Sequence, residues 1–177
     1  MGVQRKGLIG VFTGDGKGKT SAALGTALRA AGQGLRVLIL QFMKKQRNIG
    51  ELKAIEASNL PIRLEQHGRR VFFKSRACEP MDIYMASRGM TAFREAMESG
   101  CYEMIILDEI NMAVHFGLVQ WSELKLLLDQ KPPCLHLFLT GRNARPELIE
   151  KADLVTEMRE IKHPYREGVQ AQIGIEY

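Results

Sequence analysis

Disulfide chemistry has almost nothing to work with in this chain. Its 177 residues carry three cysteines, Cys78, Cys101 and Cys134. The number is odd, the spacings are wide and no CxxC pair occurs, which excludes a zinc ribbon and a disulfide framework. Three free thiols fit a reducing cytosol and small core positions. No apolar run approaches the roughly 20 residues that a bilayer demands. The short polar start, Met1 to Lys6, leads into no signal peptide. The expectation is a cytoplasmic protein without a membrane partner. Repeats, low-complexity tracts and linkers are also missing, which predicts one domain over residues 1–177. The surplus of one charge sign is small, at +5. It favours anionic partners such as nucleotides and does not call for nucleic acid. The four histidines, His67, His115, His136 and His163, show no metal-ligand spacing. His136 reads as a satisfied residue of a buried strand.

What is present is an alternation of short apolar runs with longer helical patterns, the signature of a parallel sheet with crossover helices. Strands are predicted over Gly7 to Phe12, Arg36 to Phe42, Pro61 to Gln66, Met104 to Leu107, Leu135 to Leu139 and Leu154 to Arg159. Helices are predicted over Lys19 to Ala31, Asn48 to Ser58 and Met81 to Ser99. Another is predicted from a Ser122 cap to Gln130, and a last one opens at Pro146. Gly32 and Gly34 close the first helix. Met81, Met85, Met90 and Met97 fall near one helical stripe and read as core. Gly68 to Glu79 reads as a basic, irregular loop. The fold class is therefore α/β, a mostly parallel sheet with flanking helices.

The first strand, a glycine-rich turn and the first helix follow one another around Thr13-Gly14-Asp15-Gly16-Lys17-Gly18-Lys19-Thr20-Ser21. This is the context of a P-loop. Glycines let the backbone turn sharply and present its N–H groups to phosphate oxygens. The helix adds its positive N-terminal end. Lys19 is expected to neutralise phosphate charge and Thr20 to reach Mg²⁺. The strict pattern begins with glycine where this chain has Thr13, and Gly14 lies one residue late. Asp108 and Glu109 end a strongly apolar strand, where acids can hold Mg²⁺ directly or through water. Which of the two ligates the metal is open at this level. Arg29 follows on the same helix as Lys19 and reads as a solvated face or a nucleotide contact.

With these residues in hand, the chain resembles the P-loop ATP:corrinoid adenosyltransferases. The likeness rests on residues 13 to 23, Gln41-Phe42-Met43-Lys44, Leu107-Asp108-Glu109, Leu139-Thr140-Gly141-Arg142 and Ala152 to Arg159. Most specific is the tail, Lys162-His163-Pro164-Tyr165 and Gly168 to Tyr177. The family's loop also starts with the displaced glycine. The resemblance implies a RecA-like P-loop fold. Its chemistry would be attack of a cobalt(I) corrinoid on C5′ of ATP, with release of intact triphosphate. Thr13 to Ser21 and Arg29 would bind ATP. Lys19, Thr20 and Glu109 would be catalytic, and Thr20, Asp108 and Glu109 would hold Mg²⁺. Phe72 and Phe73 would face the corrin, where the family carries aromatic residues; Val71 stands at a second such position. An electron-donating reductase and a homodimer are implied partners. Some members cover the corrinoid with a longer N-terminal segment. Six residues precede Gly7 here, so a more open site or a partner subunit's cover is expected.

Three rivals use the same loop. A small-molecule kinase would release ADP and use Arg69, Arg70 and Arg76 as a lid. A RecA-like motor would form rings and bind nucleic acid with strong salt dependence. A nucleotide-dependent corrinoid carrier would bind both ligands without turnover.

Overall fold

The computed structural model describes residues 6–46, 48–69 and 78–176. Six strands form one sheet: β1 (Ile9–Thr13), β2 (Val37–Phe42), β3 (Ile62–His67), β4 (Met104–Asp108), β5 (His136–Thr140) and β6 (Leu154–Glu157). Their order across the sheet is β3-β2-β4-β5-β1-β6. Every neighbouring pair is parallel. Among the described residues six α-helices intervene: α1 (Lys19–Gly32), α2 (Gly50–Ala57), α3 (Pro80–Ser99), α4 (Ile110–His115), α5 (Trp121–Asp129) and α6 (Pro146–Lys151). Among the described residues no helix is long and apolar enough to cross a membrane.

The period-two alternation of the central strands sorts the core into two layers. Leu38, Leu40 and Phe42 of β2, Ile105 and Leu107 of β4, and Leu137 and Leu139 of β5 face one cluster. Met90 and Phe93 of α3 and Leu124 and Leu127 of α5 complete it. Val37 and Ile39, Met104 and Ile106, Phe12 and Phe138 face the other, under Ala23, Ala27 and Ala30 of α1. Small alanines let α1 lie close to the sheet. On the other face, Gly89 does the same for α3: a Cβ there would stand 2.7 Å from the Phe42 ring.

β5 separates the loop-bearing strand β1 from the acid-bearing strand β4. This is the RecA-like arrangement, and it sets Thr140 between Thr13 and Asp108 at the C-terminal edge. The jump from β1 across to β2 leaves a crevice at that edge, the usual ligand site of open α/β sheets.

Several local expectations change. Ser122 is the second residue of α5, and Gln120 holds the cap position without a side-chain hydrogen bond. The short α4 had no sequence signal of its own; its six residues are too few for a helical period to show. The three cysteines are all exposed, because each lies outside the helices and strands that build the core. Met90 and Met97 are buried as expected, whereas Met81 in the first turn of α3 is half exposed. His136 is only partly buried, and its Nδ1 accepts from the Leu8 amide at 3.3 Å.

Candidate active site

The loop between β1 and α1 wraps around its own lysine. Lys19 Nζ donates to the carbonyls of Gly14 at 2.7 Å and Gly16 at 2.6 Å. Burial pulls the ammonium below the ordinary lysine range, and Arg142 adds to this against the charges of Glu109 and Asp15. Gly14 (φ 91°) and Gly18 (φ 115°) occupy conformations that favour glycine. Gly18 also caps α1 and offers no side chain to its N–H groups, and the first turn carries no acid. Those N–H groups are left for an anion.

The displaced first glycine has a structural reason. Thr13 is still strand, paired with Glu157 of β6, and its Oγ1 accepts from the Ala144 amide at 3.3 Å. The turn therefore begins one residue later, at Gly14. β6 continues as a brace beneath the loop. Met158 donates its amide to Thr13 and accepts from the Gly16 amide, at 2.8 and 2.6 Å. Cβ atoms at Gly14 and Gly16 would collide with the backbone of Met158 and Arg159.

Asp108 ends β4 almost fully buried. Its Oδ1 accepts from Thr20 Oγ1 at 2.9 Å and Thr140 Oγ1 at 2.7 Å. Its Oδ2 accepts from Lys44 Nζ at 2.7 Å and Gln41 Nε2 at 3.2 Å. Thr140 in turn accepts the Glu109 amide at 2.9 Å. Glu109 has a left-handed backbone (φ 62°) that turns it away from the strand. Burial raises its carboxyl pKa, as does the charge of Asp108, against Lys44, Lys19 and Arg142.

Two cavities meet here. One of about 570 Å³ runs from the loop along Ser21 and Leu24 of α1 and is bordered by Gly174, Ile175 and Glu176. The other, about 970 Å³, has an apolar side made by Met43, Ile49, Met112 and Phe116. Lys17, Lys19, Lys44, Glu51, Glu109 and Glu176 border both. The tail returns to the loop: Lys17 Nζ donates to the Ile175 carbonyl at 2.7 Å and pairs with Glu176 at 3.5 Å. Arg142 reaches the Asp15 carbonyl at 3.1 Å.

The structure thus brings together Thr13 to Ser21, Asp108 and Glu109. It leaves Arg29 exposed in the last turn of α1, ten residues from Lys19 or about 15 Å along the helix, and outside the lining of both cavities. Phe72 and Phe73 lie outside the described residues. Lys44, Gln41, Thr140 and Glu51 are site residues to which motif reasoning had given no role. Lys44, Gln41 and Thr140 stand within stretches that carry the family likeness, but only the pairing of β2, β4 and β5 turns them toward Asp108.

Fold, glycine loop and strand-end carboxylates together define a P-loop nucleotide-binding protein. Residues 5–177 match the family described as ATP:corrinoid adenosyltransferase BtuR/CobO/CobP, and the chain belongs to that family. It is similar to a corrinoid adenosyltransferase of Sinorhizobium sp, with 38% identity over 97% of this chain and 81% of the relative. A corrinoid adenosyltransferase of Escherichia coli K12 is 34% identical over 97% and 86%. The corrinoid adenosyltransferase CobA of Salmonella typhimurium is 32% identical over 98% and 87%.

Proposed function

We propose that the protein transfers the 5′-deoxyadenosyl group of ATP to the cobalt(I) of a corrinoid, releasing triphosphate, in adenosylcobalamin biosynthesis or salvage. The observation that carries this reading is the junction of the two cavities. The polar one suits a nucleotide whose phosphates lie on the loop. The larger, more apolar one suits a ring system beside it, so that the ribose carbon and the metal can meet at their common border. Held together, the two reactants lose the entropic barrier of a bimolecular encounter.

The chain need supply no nucleophile, because the substrate's cobalt is one. Amides of the Gly14 to Thr20 loop, apart from that of Gly16, which donates to Met158, hold the triphosphate together with the Lys19 ammonium and stabilise the charge it carries away. Mg²⁺ fits this site, where Thr20 Oγ1 and the Glu109 carboxylate would offer it hard oxygen donors beside the phosphates. Among the described residues no group of three or more His, Cys, Asp or Glu forms a full cage. Mg²⁺ is usually held by one or two carboxylates together with phosphate oxygens and water. All four lone-pair directions of Asp108 are engaged by protein donors, so Asp108 would orient Thr20 and Glu109 would hold the metal. When bound, Mg²⁺ neutralises charge developing on the departing triphosphate.

By family likeness, Phe72 and Phe73 would face the corrin. A reductase must deliver the metal as cobalt(I). A homodimer and a cytoplasmic location complete the reading, the first from family likeness and the second from three unpaired thiols.

Anaerobic incubation with chemically reduced cobalamin and Mg-ATP tests the proposal. A light-sensitive adenosyl-corrinoid with stoichiometric triphosphate is expected. ADP or phosphate without a corrin product would instead indicate a kinase or motor, and binding without product a carrier. Lys19→Ala should nearly abolish turnover. Phe73→Ala should slow reaction from cobalt(II) more than from pre-reduced cobalt(I).

A further inference from the structure

Lys44 is aimed into the site by two backbone irregularities. Met43, just beyond β2, has a left-handed backbone (φ 58°), uncommon for a residue with a side chain. Gly68, after the adjacent β3, lies so close that a Cβ would stand 2.4 Å from the Lys44 amide nitrogen and 2.5 Å from the Met43 carbonyl carbon. The chain thus turns off the sheet sharply and lays the lysine across the end of β4. Conformations of this kind cost free energy and persist where surrounding structure imposes them.

The destination is the border between the cavities. Lys44 Nζ lies 2.7 Å from Asp108 Oδ2 and 3.4 Å from Thr20 Oγ1, and the residue lines both cavities. Its side chain is 31% exposed, against 1% for Asp108. The pair is therefore anchored on the acid side and open on the ammonium side. A lysine serving only to neutralise Asp108 would need no such opening, and of the three donors of an ammonium Asp108 and Thr20 take two, leaving one for a ligand.

We infer that Lys44 is a second phosphate-directed lysine, catalytic in adenosyl transfer. Anchored by Asp108, it places its ammonium on the triphosphate, beside Thr20 and apart from the loop-held Lys19. The inference rests on the reading of the site as an adenosyltransferase. In that reaction the cobalt(I) electron pair forms the Co–C5′ bond while the C5′–O5′ bond breaks. The bonding pair leaves on the triphosphate oxygen, and cobalt becomes formally cobalt(III). The leaving group gains a full negative charge, so a cation placed on it acts more strongly in the transition state than on bound ATP.

The test compares wild type, Lys44→Met and Lys44→Arg as full chains. Turnover is measured with pre-reduced cobalamin and saturating Mg-ATP, and affinity for inorganic tripolyphosphate by titration calorimetry. Lys44→Met should lower kcat about 100-fold and weaken tripolyphosphate at least tenfold, with a smaller change in KM for ATP. Lys44→Arg should recover a large part of both. A folded Lys44→Met with kcat and tripolyphosphate affinity within threefold of wild type would overturn the inference. So would equal loss in both variants, which would mark a purely structural ion pair. Should Lys44→Met not fold, Lys44→Gln takes its place under the same criteria. If wild type forms no adenosyl-corrinoid, the adenosyltransferase reading fails by itself, and the tripolyphosphate comparison still decides whether Lys44 serves phosphate.

Discussion

Asp108 and Glu109 are neighbours in sequence with different physical fates. Asp108 is buried under four donors, while Glu109 is turned out by its left-handed backbone. Asp108→Asn keeps the shape but leaves the Lys44 ammonium without its main anion, so a loss of about 1–3 kcal/mol in stability is expected by urea denaturation. Glu109→Gln should do the opposite to the fold. Burial, then the charge of Asp108, raises the Glu109 carboxyl pKa in the native state. The native protein therefore binds its proton more tightly than the unfolded chain does. Its contribution to stability is full below the ordinary glutamate range and is lost as pH rises through the raised value. Without Mg²⁺, Glu109→Gln should flatten this decline as pH rises above the ordinary glutamate range and raise the denaturation midpoint at neutral pH. Mg²⁺-dependent turnover should fall at the same time. A variant with wild-type turnover would remove Glu109 from the metal site.

At the scale of elements, the phosphate loop is a three-way joint of β1, α1 and β6. Gly16 lies against Arg159, with a Cβ only 2.7 Å from its backbone. Gly16→Ala should displace the loop and weaken ATP at least tenfold, read by equilibrium binding, while the melting temperature moves little because the sheet is untouched. The joint between α3 and β2 should respond in the reverse sense. Gly89→Ala would drive a methyl into Phe42, and overpacking of this kind costs about 1–3 kcal/mol. Nucleotide affinity in the folded fraction should be preserved, because the clash is with the ring of Phe42 inside the core.

Three central strands of the sheet are tied at the edge opposite the site by an ion pair between strand starts. Arg36 Nη2 donates to Glu103 Oε1 at 2.6 Å, and the Arg36 amide and Nε donate to Oε2 at 2.8 and 3.1 Å. The Glu103 carbonyl accepts from the His136 amide at 3.0 Å, so β2, β4 and β5 meet there. The side-chain and amide hydrogen bonds from Arg36 lower the Glu103 carboxyl from 4.5 to about 2. A depressed value means the stabilisation is complete above the unfolded pKa and is lost as pH falls from 4.5 toward 2. Glu103→Gln should cost about 1 kcal/mol at pH 7, and its gap from wild type in urea midpoint should close across that acid window.

The sequence by itself determined the alternating elements, the two-sided apolar strands β2 and β4, the P-loop and the acidic strand end, because each is encoded by local periodicity or contiguous residue types. The tail and the Gln41–Lys44 stretch carried the family likeness without disclosing what they touch. Only the tertiary structure decided the strand order that sets Thr140 beside Asp108. It also decided the turn at Met43 and Gly68 that brings Lys44 to Thr20, and the return of residues 174–176 onto Lys17. The physical reason is the same in each case. Those contacts join residues 24 to 158 positions apart, and pairing at that distance is set by how strands and loops pack, which no local pattern records.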